Sequence, residues 1–235
     1  MAIVPKHVAV IMDGNRRFSR RLMAKPWKGH EWGAEKVEKF LNWCNELGVE
    51  EVTLYAFSVQ NFERSKEEFD ALMKIFLSSF EKLNARLSRS VAGDSTGRVR
   101  FIGRRNLFPA DVQTAMNNLE NISKNRQGMQ VNVAMGYGGR EEVIDAVRAL
   151  SKEVASGAVA PENITEDMFA QHLYMVSEPD LVMRTGGEHR TSNFLLWQSS
   201  YAEWIFLEKC WPELEREDFV SAITEYGARE RRFGK

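Results

Sequence analysis

Five short apolar runs, Val8 to Met12, Val52 to Phe57, Val99 to Ile102, Met129 to Met135 and Leu181 to Met183, alternate along the chain with longer stretches of helical periodicity. The runs are partly β-branched and bounded by Gly, Asp or Ser, which marks them as strands. The stretches Glu31 to Leu47, Lys66 to Leu87, Ala110 to Lys124, Glu141 to Val154 and Leu214 to Arg231 read as helices. This alternation predicts βαβ units and an α/β fold: a single domain over residues 1–235 with a mostly parallel β-sheet flanked by helices. A chain of 235 residues, 43% of them hydrophobic, can bury one substantial core.

Charge narrows the partners. Lys and Arg total 32 against 33 Asp and Glu, a net charge of -1, so no global field draws in nucleic acid and any anion site must be local. No stretch reaches the roughly 18 apolar residues of a membrane span, and the first residues, Met1 to His7, do not resemble a signal peptide. A cytoplasmic protein is expected. Cys44 and Cys210 stand far apart without CxxC spacing, so both are expected to be ordinary thiols.

The helix after Ser65 is the best marked. Ser65 and Glu68 have capping-box spacing, and Phe69, Leu72, Met73, Phe76, Phe80, Leu83 and Leu87 recur on one face. That stripe serves either as core or as one wall of a hydrophobic tunnel.

In open parallel sheets, ligands bind beyond the carboxyl ends of the strands, so the residues there carry the functional signal. The first strand ends in Asp13-Gly14-Asn15-Arg16-Arg17. Gly14 admits close backbone approach, a helix starting here adds its positive end, and two guanidinium groups complete a cradle for a diphosphate. Asp13 sits badly beside phosphate unless a cation lies between them, which suggests Mg2+. A capped helix start with solvated arginines is the competing reading. The second strand ends in Ser58-Val59-Gln60-Asn61-Phe62-Glu63-Arg64, where polar groups adjoin aromatic rings, and a turn with incidental polar residues remains an alternative. Gly136 to Arg140 (GYGGR) lacks dinucleotide-fold or Walker spacing and reads mainly as a tight strand-to-helix crossing. The densest polar cluster, Arg184 to Asn193, suits a second anion site built on Arg184, Arg190 and a serine, against a structural ion-pair network. Two diphosphate-type sites and a long apolar helix fit the joining of two prenyl diphosphates. The aspartate-rich DDxxD motif of the other large prenyltransferase class is absent.

These segments resemble the cis-prenyltransferases. The likeness runs through HVAVIMDGNRR (7–17), Gly29-His30, LYAFSVQNFER (54–64), GYGGR (136–140), MRTGGEHRTSNFLLWQ (183–198) and RERRFG (229–234). It implies a parallel sheet with a deep hydrophobic tunnel, a homodimer, and Mg2+-dependent condensation of isopentenyl diphosphate with an allylic prenyl diphosphate, giving a Z product. It also allows peripheral contact with a membrane for product release. By the resemblance, Asp13 holds Mg2+ and is catalytic, while Gly14, Asn15, Arg16 and Arg17 wrap the allylic diphosphate and Phe18 and His30 flank it. Ser58 and Asn61 lie near the reacting carbons, with Asn61 orienting substrate or relaying a proton to a phosphate oxygen or Asp13. Phe62 and Arg64 give further substrate contacts. Arg184, Arg190 and Ser192 match the isopentenyl diphosphate site, Glu203 a second metal-binding acid, and Arg232 to Gly234 a motif that reaches across the dimer interface. Arg16 stands where glycine is frequent in the family, Phe62 where tryptophan is, and Pro26 where an arginine often sits.

Overall fold

The computed structural model describes residues 3–89 and 97–229. The expected C-terminal motif, Arg232 to Gly234, lies outside them. Six strands, β1 (His7–Ile11), β2 (Glu51–Ser58), β3 (Val99–Ile102), β4 (Gln130–Tyr137), β5 (Leu181–Arg184) and β6 (Glu203–Phe206), form one sheet in the order β3-β4-β2-β1-β5-β6. Every neighbouring pair is parallel. The helices are α1 (Asn15–Arg21), α2 (Pro26–Glu46), α3 (Lys66–Arg89), α4 (Ala110–Ser123), α5 (Gly139–Ala155), α6 (Glu166–Gln171) and α7 (Arg216–Ala228).

The five expected strands are present, and β6 is additional. Glu203-Trp204-Ile205-Phe206 has no long apolar run to announce it. It becomes a strand through its register on β5, with Leu181 opposite Glu203 and Arg184 opposite Phe206. The helix expected from Glu31 begins at Pro26. Proline suits the first helical position, and Lys25 before it stays extended (φ -61, ψ 146). The short helices α1 and α6 also escape periodicity, each being under two turns.

Both faces of the sheet are covered, so β1 is apolar at consecutive positions instead of alternating. Val8 and Val10 join Phe40 of α2 and Trp211 and Phe219 on one face. Ala9 and Ile11 join Tyr137, Val182 and Phe194 on the other. A third cluster locks α3 and α4 to the sheet through Phe57, Phe80, Phe101, Met116 and Met135. The edge strand β3 is protected by side chains of α4: Ser123 Oγ accepts from the Val99 N–H (3.0 Å) and Glu120 Oε1 from the Phe101 N–H (2.7 Å). Cys44 and Cys210 are free, buried thiols.

Trp211 ties the core to the first strand end. Its ring is fully buried edge-on to Phe40, its indole N–H donates to the Gly33 carbonyl (2.8 Å), and its backbone N–H donates to the Asp13 carbonyl (2.9 Å). Trp211→Ala should cost about 3–5 kcal/mol of stability. Trp211→Phe, which keeps the ring and loses the indole donor, should cost about 1–2 kcal/mol. Urea denaturation of the two variants checks both values.

Candidate active site

The chain leaves β1 toward β2 on one side and leaves β5 toward β6 on the other. Between the carboxyl ends of β1 and β5 the connections diverge and open a crevice. Asp13 and Arg184 meet there, 171 positions apart in sequence. Arg184, the last residue of β5, is 3% exposed. It donates to Asp13 Oδ2 (2.7 Å), to Ser192 Oγ (2.7 Å) and to the Arg190 carbonyl.

Asp13 opens the turn into α1. Gly14 takes φ +99, a left-handed conformation, and a Cβ there would lie 2.7 Å from Cys210 Cβ. The Gly14 N–H donates to Asp13 Oδ1 (2.6 Å), and Arg17 approaches the same oxygen at 3.2 Å. Burial pushes the Asp13 pKa up. The hydrogen bonds from Arg184 and Gly14 and the charges of Arg184 and Arg17 outweigh it and hold the carboxyl below its ordinary value. Arg17 also donates to the Gly186 carbonyl and lies 3.7 Å from Glu188, which pairs with Arg190. Two buried polar atoms of this crevice, Arg184 Nε and Asn15 Oδ1, have no hydrogen-bond partner among the described residues.

A second group sits beyond β2, in the 3-10 turn Val59–Glu63. Ser58 and Asn61 cap each other, with Asn61 Oδ1 accepting from the Ser58 N–H (3.0 Å). The amide oxygen is therefore committed to the backbone. Arg64 donates to Glu68 and to His30 Nε2 (3.3 Å). Glu68 also lies 3.6 Å from His30 and 3.9 Å from Arg16. Burial, reinforced by the Arg64 charge, lowers the His30 pKa to about 4, so its imidazole is neutral at neutral pH. Phe62 turns away into an aromatic cluster with Phe57 (4.9 Å) and Phe108 (5.1 Å), and Phe18 packs edge-on to Trp32 (5.4 Å).

A cavity of about 1260 Å³ runs from these groups between α2 and α3. Asp13, Asn15, His30, Ser58, Asn61, Arg64 and Arg184 line one part of it, and Leu41, Phe76, Phe80, Val99, Val131 and Val133 another. The α3 stripe divides: Leu72, Phe76, Phe80 and Leu83 line the cavity, while Phe69, Met73 and Leu87 belong to the packed core behind it.

The structure does not bring Glu203 to this cluster. It starts β6 opposite Leu181, the amino end of β5, while Asp13 meets Arg184 at the carboxyl end. Its carboxylate accepts from Arg229 (2.7 Å). Among the described residues no three His, Cys, Asp or Glu side chains gather into a metal cage. Sequence reasoning also missed Glu68. Its N–H does take the Ser65 Oγ cap (3.3 Å), but its carboxylate turns to Arg64. The available signal was an acid four residues after Arg64, the spacing of a helical ion pair.

The profile of the family described as "Putative undecaprenyl diphosphate synthase" matches residues 11–234. A tritrans,polycis-undecaprenyl-diphosphate synthase (geranylgeranyl-diphosphate specific) of Pyrococcus horikoshii is 44% identical, across 99% of this chain and 88% of that protein. An isoprenyl transferase of Thermus thermophilus is 44% identical, across 99% and 89%. Among solved structures, lavandulyl diphosphate synthase of Lavandula x intermedia, in complex with dimethylallyl diphosphate, superposes with a TM-score of 0.94 at 33% identity and 99% coverage of both chains. A probable undecaprenyl diphosphate synthase of Campylobacter jejuni gives 0.80 at 31% identity, with full coverage of both. With matching sequence from β1 to the C-terminus and the same fold over the whole chain, this protein belongs to the undecaprenyl diphosphate synthase family of prenyltransferases.

Proposed function

We propose that this protein is a Mg2+-dependent cis-prenyltransferase that condenses isopentenyl diphosphate with an allylic prenyl diphosphate into a Z-polyprenyl diphosphate. The observation that carries the reading is the meeting of Asp13 and Arg184 at the head of a large, partly apolar cavity. The anionic ends sit among the arginines and the hydrocarbon lies between α2 and α3, so the cavity serves as the product tunnel.

The Gly14 turn, Arg16 and Arg17 hold the allylic diphosphate, while Arg184, Arg190 and Ser192 hold that of isopentenyl diphosphate. The allylic C1–O bond breaks with its electron pair leaving on diphosphate. The isopentenyl double bond attacks C1, and loss of a proton from C2 of the isopentenyl unit leaves the new Z double bond. Asn61 Oδ1 is already committed to the Ser58 N–H, so its amide positions substrate through Nδ2. Asp13, held below the ordinary carboxyl range, is a weak base, which leaves a diphosphate oxygen as the proton acceptor. His30 contributes a neutral ring, with Nε2 accepting from Arg64 and the proton on Nδ1.

The residues present fit Mg2+ as a one-carboxylate site. Asp13 is 30% exposed at the crevice and would hold the ion, whose remaining ligands would be oxygens of diphosphate and water. When bound, Mg2+ supplies positive charge that stabilises the departing diphosphate. Glu203, at the other end of the sheet, takes no part in that site.

A homodimer accompanies this reading. Ile144 and Val147, on the outer face of α5, are 48% and 45% exposed, and Leu196 and Tyr201 are also exposed. An apolar surface of this kind suits a second copy. At the junction of α1 and α2, Leu22 and Met23 are exposed beside Arg20 and Arg21, a surface suited to peripheral membrane contact as product leaves. No helix of the described residues is long and apolar enough to cross a membrane. A cytoplasmic location fits the reading.

The purified protein, incubated with labelled isopentenyl diphosphate, Mg2+ and allylic diphosphates from C5 to C20, should form Z-configured products that vanish with EDTA. The Pyrococcus relative's name makes geranylgeranyl diphosphate the expected starter. Asp13→Asn should lower turnover by about 10²-fold or more while the fold survives; near-normal turnover would sink the metal role. Ile144→Glu with Val147→Glu should shift the protein from dimer to monomer in sedimentation velocity. His30 titrates near 4 in the fold and near 6.5 unfolded, so its contribution to stability is complete above pH 6.5 and is lost as pH falls toward 4. Between those values the slope is at most about 1.4 kcal/mol per pH unit. Burial lowers the His7 pKa as well, so the difference between wild type and His30→Asn in urea melts at stepped pH isolates the His30 part.

A further inference from the structure

The segment GYGGR, residues 136–140, has no role in the site described above, yet it touches the loop that carries Ser192. Ser192 (φ 50), Asn193 (φ 63) and Leu195 (φ 44) are non-glycine residues in the left-handed region. Such a run persists only where its surroundings hold it. Here the first turn of α5 does so at three consecutive residues. The Gly139 N–H donates to the Asn193 carbonyl (2.7 Å), and the Arg140 N–H donates to Asn193 Oδ1 (2.8 Å). Asn193 Nδ2 donates to Glu141 Oε2 (2.9 Å). Asn193 thereby satisfies two N–H groups that every helix start leaves without an intrahelical partner.

The paired glycines make room for this contact. A Cβ at Gly138 would lie 2.1 Å from Glu141 Oε2 and 2.7 Å from Asn193 Nδ2, and one at Gly139 would lie 2.7 Å from Leu196 Cγ. On its other side the loop faces the crevice. Ser192 Oγ and the Arg190 carbonyl accept from buried Arg184, and the Ser192 carbonyl accepts from the Tyr55 hydroxyl (3.3 Å).

We propose that Asn193 is a positioning residue for the isopentenyl diphosphate site and that the GYGGR turn is its socket. The inference rests on the reading of Arg184, Arg190 and Ser192 as that site. Asn193 fixes Ser192 against Arg184 before substrate arrives, so the loop's ordering is already complete and does not weaken binding. The allylic cradle, built on β1 and α1, meets the loop through Asp13 on Arg184 and Arg17 on the Gly186 carbonyl, at positions other than Asn193.

The test exchanges donor for acceptor. Asn193→Asp places a carboxylate against Glu141, and the double variant Asn193→Asp with Glu141→Gln restores a hydrogen bond in the reverse sense, the amide now at 141. Steady-state kinetics with isopentenyl diphosphate as the varied substrate should show KM raised about tenfold in the single variant, the effect of one lost charge-adjacent hydrogen bond. The KM for the allylic substrate should stay within about twofold. The double variant should return the isopentenyl diphosphate KM most of the way to wild type. Ser192→Ala, run alongside, should raise the same KM. If it does, and either Asn193→Asp leaves that KM unchanged or the double variant fails to recover it, the clamp is overturned alone. If Ser192→Ala leaves KM unchanged, the assignment of the second diphosphate site falls and takes the clamp with it. Recovery of melting temperature without recovery of KM assigns the contact to stability and overturns the positioning role.

Discussion

The contact between Asp13 and Arg184 organises the molecule. A guanidinium that is 3% exposed has given up its water, a loss worth several kcal/mol that only close partners offset. One partner is the carboxylate that ends β1; the others are Ser192 Oγ and the Arg190 carbonyl in the loop after β5. Satisfying Arg184 therefore fixes the relative placement of two loops whose strands lie side by side. The sheet order makes this possible, since only adjacent strands with diverging connections leave such a gap between their ends.

The same pair sets the chemistry available. A carboxylate held below its ordinary pKa by two arginines is a poor proton acceptor and a good ligand for a hard cation. Neighbouring His30 is held neutral by burial and by Arg64, so the positive charge of the site resides on arginines, whose charge does not change with pH over the working range. Glu68 balances part of that charge from the first turn of α3, the helix whose Leu72, Phe76, Phe80 and Leu83 line the cavity. The helix thus contributes to both the polar and the apolar ends of one site.

Much of this was legible in the sequence because buried parallel strands read as plain apolar runs and their polar ends stand out against them. Asp13 and Arg184 were found by that contrast alone. The strand β6 was hidden because Glu203 to Phe206 becomes a strand only through pairing with β5. Position along the chain gave no warning that Glu203 begins its strand at the far end of the sheet, since a strand's direction is set by its neighbours. The α3 stripe could not be divided into core and cavity from periodicity, because Leu72 and Met73 are equally apolar and differ only in what they face. Asn61 carried an amide whose oxygen proved to be committed to the turn that presents it. Asn193 looked like one more polar residue in a cluster, because its partners lie 52 to 54 positions away at the start of α5.

The order of strands also dictates when this protein comes into being. β1 is made before the other described strands, yet its neighbour β5 begins at Leu181, and the backbone bond that closes over Asp13 comes from Trp211. At ribosomal speeds of about 5–20 residues per second, Asp13 waits roughly ten to thirty seconds for Arg184 to be synthesised. Through that interval a central strand has one partner, β2, and one open edge, a pairing surface that an ordinary domain would cover early. The crevice therefore closes only after Arg184, and then Trp211, have been translated.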